Sequence, residues 1–236
     1  GIDILSKVYE HDINPNFSDE TMLELKNIPD VVSEEDIIGR KDLRNKKIVT
    51  MDGDDAKDFD DAISIEKLSN GNYKLGVHIA DVSNYVKENT ALGRDAESRA
   101  TSVYLVDRVI PMIPHQLSNG ICSLNPEVVR LTISCVMTID GNGKVIDYDI
   151  FPSYIKSRKQ MTYKKVNEIL EQSKIPEGYE EFATKLIKMQ ELAKILRDNK
   201  VRRGYIDFGI DEAKIIVNDE GKAIDVKLRT RGWSLI

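Results

Sequence analysis

The sequence predicts an α+β fold: an antiparallel to mixed sheet with flanking helices. Three observations carry that expectation. β-patterned runs come in pairs around Asn-Gly-type turns, at Ser69-Asn70-Gly71-Asn72 and Asp140-Gly141-Asn142-Gly143. Two stretches with helical spacing follow the second pair. The 236 residues are 41% hydrophobic and 31% charged, which excludes wholesale disorder and suffices for a real core.

Residues 1–45 read as a linker or adaptor, with Pro15, Pro29 and several acidic pairs. Their one helical candidate is Ser18 to Asn27, where Ser18 is the N-cap, Asp19 and Glu20 suit the first turn, and Met22, Leu23 and Leu25 are the docking side. From Lys46 the pattern changes. Lys47 to Asp52 reads as a strand that ends in an aspartate. Ala62 to Leu68 and Tyr73 to Asp81 form the first hairpin. Tyr73, Leu75, Val77 and Ile79 share one face of its second strand, and Lys74, Gly76 and His78 share the other. Ala91 to Thr101 is helical in composition, and Pro111 and Pro114 mark a loop. Leu131 to Asp140 and Lys144 to Phe151 make the second hairpin. Tyr163 to Gln172 and Tyr179 to Lys200 are helices. The longer one carries Phe182, Leu186, Met189, Ala193 and Leu196 on one stripe, and Gly204 is its stop. Ala213 to Asn218 and Lys222 to Leu228 close a third hairpin.

Several function classes drop out. Nothing approaches the ~18 consecutive apolar residues of a membrane helix. Two cysteines, Cys122 and Cys135, make neither a disulfide framework nor a Cys-rich zinc site, and a reducing, cytoplasmic home is expected. His11 and His115 have no partner motif, and His78 reads as a structural histidine. The net charge of −6 argues against a protein that coats nucleic acid by bulk charge, but not against an enzyme with a local groove. A start at Gly1-Ile2-Asp3 suggests a piece of a longer protein.

The informative stretch is Asp52-Gly-Asp54-Asp55-Ala-Lys57-Asp58-Phe59-Asp60-Asp61, six aspartates in ten residues. Two carboxylates ~4 Å apart repel by roughly 4 kcal/mol at an effective dielectric of 20, so a folded site must offset them with cations or protons. Hard divalent ions such as Mg²⁺ meet that need with oxygen ligands, and two of them can clamp a phosphodiester displacement. An EF-hand read from Asp52 fails, because Ala56, Lys57 and Ile63 stand where it needs Asp or Asn, Gly and Glu. Composition alone leaves a metal site and a solvated acidic loop as equal readings. Phe59 and Ala62-Ile63, which interrupt the charges as buried residues would, weigh against the loop.

The spacing decides further. Asp52, five residues, then Asp58-Phe-Asp60-Asp61-Ala62 resembles the catalytic signature of the RNB family of exoribonucleases, which includes ribonuclease II and ribonuclease R; the ribonuclease R branch is the nearer likeness. Further blocks match in order. They are Gly76-Val-His-Ile-Ala-Asp81, Thr101-Ser-Val-Tyr104-Leu, Ile110-Pro-Met-Ile-Pro114, Leu117 to Asn125 and Arg203-Gly-Tyr-Ile-Asp-Phe208. The likeness runs from about residue 46 to about 231.

The resemblance implies an RNB-like catalytic domain whose N-terminal part is residues 46–236, with residues 1–45 leading in from upstream RNA-binding domains. It implies a processive, Mg²⁺-dependent (Mn²⁺ as substitute) 3′→5′ exoribonuclease that takes the 3′ end of single-stranded RNA to 5′-mononucleotides. Asp52, Asp58, Asp60 and Asp61 match the family aspartates that hold metal and attacking water, with Asp60 the most directly catalytic. Tyr104 and Phe208 match the aromatic pair that clamps the terminal bases, and Tyr163 matches a tyrosine near the scissile end. Asp54 and Asp55 fall in the variable gap as solvated charge. No membrane and no obligate protein partner is expected. The rival classes are a non-catalytic RNA-binding relative and an acidic module that binds divalent metal without a nucleic-acid role.

Overall fold

The computed structural model describes residues 2–106, 108–206, 213–218 and 222–228. The elements are α1 (Ile2–Glu10), α2 (Asp19–Leu25), β1 (Lys41–Asp42), β2 (Val49–Asp52), β3 (Asp61–Lys67), β4 (Tyr73–Ala80), α3 (Ala91–Arg99), β5 (Val103–Tyr104), β6 (Val109–Ile110), β7 (Val129–Ile139), β8 (Val145–Lys156), β9 (Lys159–Thr162), α4 (Tyr163–Gln172), α5 (Ala183–Arg202), β10 (Ala213–Val217) and β11 (Ala223–Leu228). They fall into two compact units. Of the described residues, one draws on 2–30, 82–106, 108–120, 213–218 and 222–228, the other on 31–81 and 121–206.

The second unit is a seven-stranded mixed sheet in the order β1-β8-β7-β4-β3-β2-β9. Its centre is antiparallel, and two turns build it. Gly71 at φ +86 and Gly143 at φ +78 take the left-handed conformation that the β3–β4 and β7–β8 turns demand. Parallel ladders attach β9 to β2 and β1 to β8. Neither β1 nor β9 was expected. Both are short, and their partners lie far away in sequence, so no local turn announces them.

Helices α4 and α5 cover the β9–β2–β3 side. Thr162 caps α4, its hydroxyl accepting the Lys165 N–H at 3.4 Å. Val166 and Ile169 of α4 join Val49, Met161, Tyr179, Phe182 and Leu186 in one buried cluster. Leu192 of α5 packs with Ile65, Tyr73 and Ile139 in a second. Burying each such side chain is worth ~1.5–3 kcal/mol. Gly204, at φ +90, follows the end of α5 as the sequence predicts.

Strand β4 departs from expectation. Tyr73 is buried, but Ile79 on the same face is exposed, while Gly76, His78 and Ala80 on the opposite face are buried. Alternation marks an apolar face but cannot show that the other face is covered too. The covered face is polar and satisfied. His78 bonds Ser64 Oγ at 3.1 Å and Ser134 Oγ at 2.6 Å, Ser134 reaches Ser153 at 2.6 Å, and Ser153 reaches Thr132 Oγ1 at 2.7 Å.

In the first unit α2 packs against α3. Ser18 is the α2 N-cap, and Asp95 of α3 accepts both its N–H and its hydroxyl at 3.0 Å. Glu24 in turn accepts the Leu92 N–H at 3.0 Å. The docking side is Thr21 and Leu25. Met22 and Leu23, expected to dock, are exposed, because the α2–α3 contact is made by its polar caps and the opposite stripe. Helix α1 was not expected, and β10–β11 is the third hairpin.

Candidate functional site

The aspartates gather where β2 ends and β3 begins. Asp52 is the last residue of β2 and Asp61 the first of β3, so the sheet itself sets both. Asp58 and Asp60 lie in the connecting loop. Phe59 between them is 2% exposed and anchors the loop in the core. Asp54 and Asp55, assigned to solvated charge, are exposed.

The charges interact. Partial burial first, then the charges of Asp61, Asp58 and Asp60, push the Asp52 carboxyl up to about 6. Asp60 is also raised, by its surroundings first and then by Asp58 and Asp61. The four matched aspartates thus feel one another, as members of one site must. Among the described residues no three His, Cys, Asp or Glu side chains form a ready metal cage. Four carboxylates held near one strand junction repel one another, and a cation would relieve that repulsion. The donor set, all carboxylate oxygen, suits a hard divalent ion.

Tyr163 enters from the neighbouring strand. Asp52 pairs with Thr162 in the parallel β2–β9 ladder, so Tyr163, the first residue of α4, follows directly on the partner of Asp52. Tyr104 belongs to the other unit, on β5, and is 68% exposed. Phe208 lies outside the described residues. Of the cysteines, Cys122 is buried, and burial pushes its thiol up to about 12, so it is no nucleophile.

A mixed sheet that presents four mutually repelling carboxylates at one strand junction defines the class: a sheet-borne acidic site. Comparison with known proteins makes it particular. Residues 40–235 match the RNB domain, and the chain belongs to that family. Ribonuclease R of Thermotoga maritima is 53% identical over 234 residues, spanning 98% of this chain and 33% of that protein. Ribonuclease R 1 of Lactococcus lactis is 50% identical over 233 residues, 98% of this chain and 28% of that one. Mycoplasma genitalium RNase R, solved in complex with ribose-methylated single-stranded RNA, superposes with a TM-score of 0.93 at 28% identity, covering 99% of this chain and 36% of that one. The chain therefore spans about a third of the length of these relatives.

Proposed function

We propose that this chain is the N-terminal part of the catalytic domain of a Mg²⁺-dependent, processive 3′→5′ exoribonuclease that hydrolyses single-stranded RNA to 5′-mononucleotides in the cytoplasm. The observation that carries the reading is the coupling of Asp52, Asp58, Asp60 and Asp61 at one strand junction. Those four carboxylates would hold Mg²⁺, with Mn²⁺ able to substitute. The ion, when bound, supplies Lewis-acid polarisation of the phosphoryl oxygens and a more acidic water.

The protein's own groups do the rest. Asp60, in the β2–β3 loop, orients the attacking water. Tyr163, which follows the ladder partner of Asp52, would contact the terminal nucleotide. Tyr104, broadly exposed, offers a ring for a base to stack on, and Phe208 is its proposed companion. Stacking suits an enzyme blind to sequence, since every base has a π-face worth ~1–3 kcal/mol.

The test is a gel assay on 5′-labelled single-stranded RNA, with Mg²⁺ and with EDTA, beside Asp60→Asn. Mg²⁺-dependent collapse to a very short labelled end, absent in the variant, is expected. Intact RNA in every lane would show that these 236 residues do not carry the activity on their own.

A further inference from the structure

Two of the four aspartates lie outside the strands, though the Asp60 carbonyl already accepts the Ala80 N–H of β4 at 2.9 Å. Asp58 and Asp60 sit in the β2–β3 loop, where four like charges favour splaying. Two consecutive residues more than sixty positions away hold that loop. Ser123 is fully buried, and its hydroxyl accepts the Phe59 N–H at 2.9 Å while donating to the Lys57 carbonyl at 3.0 Å. Leu124 N–H then donates to the Phe59 carbonyl at 2.9 Å. Both backbone groups of Phe59 and the carbonyl before Asp58 are thereby fixed.

Ser123 is itself seated. Its carbonyl accepts from Arg130 Nε at 2.9 Å and from the Asn125 N–H at 2.8 Å. Arg130 lies on β7, is 8% exposed, and also donates to the Val129 carbonyl at 3.0 Å. A continuous run of bonds thus leads from the rigid sheet through Arg130 and Ser123 to the loop. A hydroxyl suits the task, because it is the smallest side chain that donates and accepts at once.

We propose that Ser123 is a positioning residue of the carboxylate site: seated by Arg130, it clamps the Lys57–Phe59 backbone and so sets Asp58 and Asp60 against the strand-borne Asp52 and Asp61. The proposal rests on the metal-dependent reading of that site. Ser123→Ala removes both loop bonds and orphans the buried Phe59 N–H.

The test uses the 236-residue chain and needs no catalysis. Mn²⁺ affinity is measured by titration with spin-resonance detection of free ion, and Phe59 amide exchange by NMR. Ser153→Ala is the control, since it also deletes a buried hydroxyl with three hydrogen-bond partners, on β8 of the sheet. Ser123→Ala should weaken Mn²⁺ binding by about tenfold or more, the usual cost of losing a group that orients metal ligands. It should also speed Phe59 exchange relative to the sheet amides, whereas Ser153→Ala should do neither. Ser123→Thr, which keeps the hydroxyl, should restore affinity. Ser123→Cys, with a weaker donor on a longer bond, should fall between and guards against an Ala variant that does not fold. Wild-type affinity in folded Ser123→Ala overturns the proposal alone, as does an equal loss in Ser153→Ala. A wild-type chain that binds no Mn²⁺, or binds it as well after Asp60→Asn, overturns the metal-site reading and the proposal with it.

Discussion

Asp52→Asn should make the metal-free protein more stable while destroying the site. The Asp52 carboxyl is held at about 6 against an ordinary 3.8, because partial burial and the charges of Asp61, Asp58 and Asp60 all disfavour its ionised form. The sign follows. Between those two values the native state holds a proton that the unfolded chain has released, so stability falls as pH rises through the window. The penalty is absent below about 4 and complete above about 7. At ~1.4 kcal/mol per pH unit the displacement sets a ceiling of about 3 kcal/mol. The carboxylate is only partly buried, and water screening brings the expected gain to ~1–2 kcal/mol. Urea unfolding in EDTA at several pH values measures the difference between wild type and variant. It should be near zero at pH 4 and open toward pH 8. Adding Mg²⁺ should then raise the midpoint of wild type and leave Asp52→Asn unmoved. A variant less stable than wild type at pH 8 in EDTA, or a difference that ignores pH, would refute the reasoning. Either result would mean that Asp52 supports the fold rather than straining it.

Two further outcomes are expected. Burial lowers His78 to about 4 from 6.5, so the native state resists a proton that the unfolded chain accepts. Stability should therefore fall as pH drops from about 6.5 to about 4, by at most about 3 kcal/mol, and His78→Gln should flatten that slope in urea titrations. A slope unchanged in the variant would move the effect elsewhere. Tyr104→Ala should leave the unfolding midpoint almost unchanged, because the ring is exposed, and should weaken single-stranded RNA binding in EDTA by ~1–3 kcal/mol. Tyr104→Trp should keep most of the affinity in the same filter-binding assay, and equal binding by all three proteins would remove Tyr104 from the RNA path.

Elements with their own local signal were legible in the sequence. Helix α4 spans Tyr163–Gln172 as expected, since its apolar spacing and its start after Thr162 are both local. The β3–β4 and β7–β8 hairpins were readable from their Asn- and Gly-rich turns. Legibility ended where a decision depended on a distant partner. Strand β9 exists because β2 pairs with it, and Lys159-Gln160-Met161-Thr162 shows no pattern of its own. Helix α1 sits in a stretch taken for adaptor because its acidic and proline-rich surroundings hid a nine-residue helix. On β4 the face opposite Tyr73 carries Gly76 and His78; His78 reads as structural from the sequence, but its partners, the hydroxyls of Ser64 and Ser134, lie on other strands and could not be named.

The same division runs through the site. The four aspartates could be picked out because a signature is a spacing, and spacing is written along the chain. Two of them, Asp52 and Asp61, owe their positions to strand ends, which hydrophobic alternation also marks. Asp58 owes its position to Phe59, which fills a core position, and to Ser123, whose hydroxyl holds the loop backbone, while Asp60 is held by Phe59 before it and by the Ala80 N–H on its own carbonyl. Nothing in Cys122-Ser-Leu-Asn125 alone says that its serine holds a loop more than sixty residues earlier in the chain. The resemblance flagged that block without a role, and its geometry supplies one. A loop of acidic residues becomes a site when its backbone is held as firmly as a strand, and here three bonds from Ser123 and Leu124 provide that hold. The cost of gathering the charges and the rigidity that gathers them are therefore separable. Asp52→Asn relieves the first and Ser123→Ala releases the second, so the two variants should move stability in opposite directions while both weaken the grip on the metal.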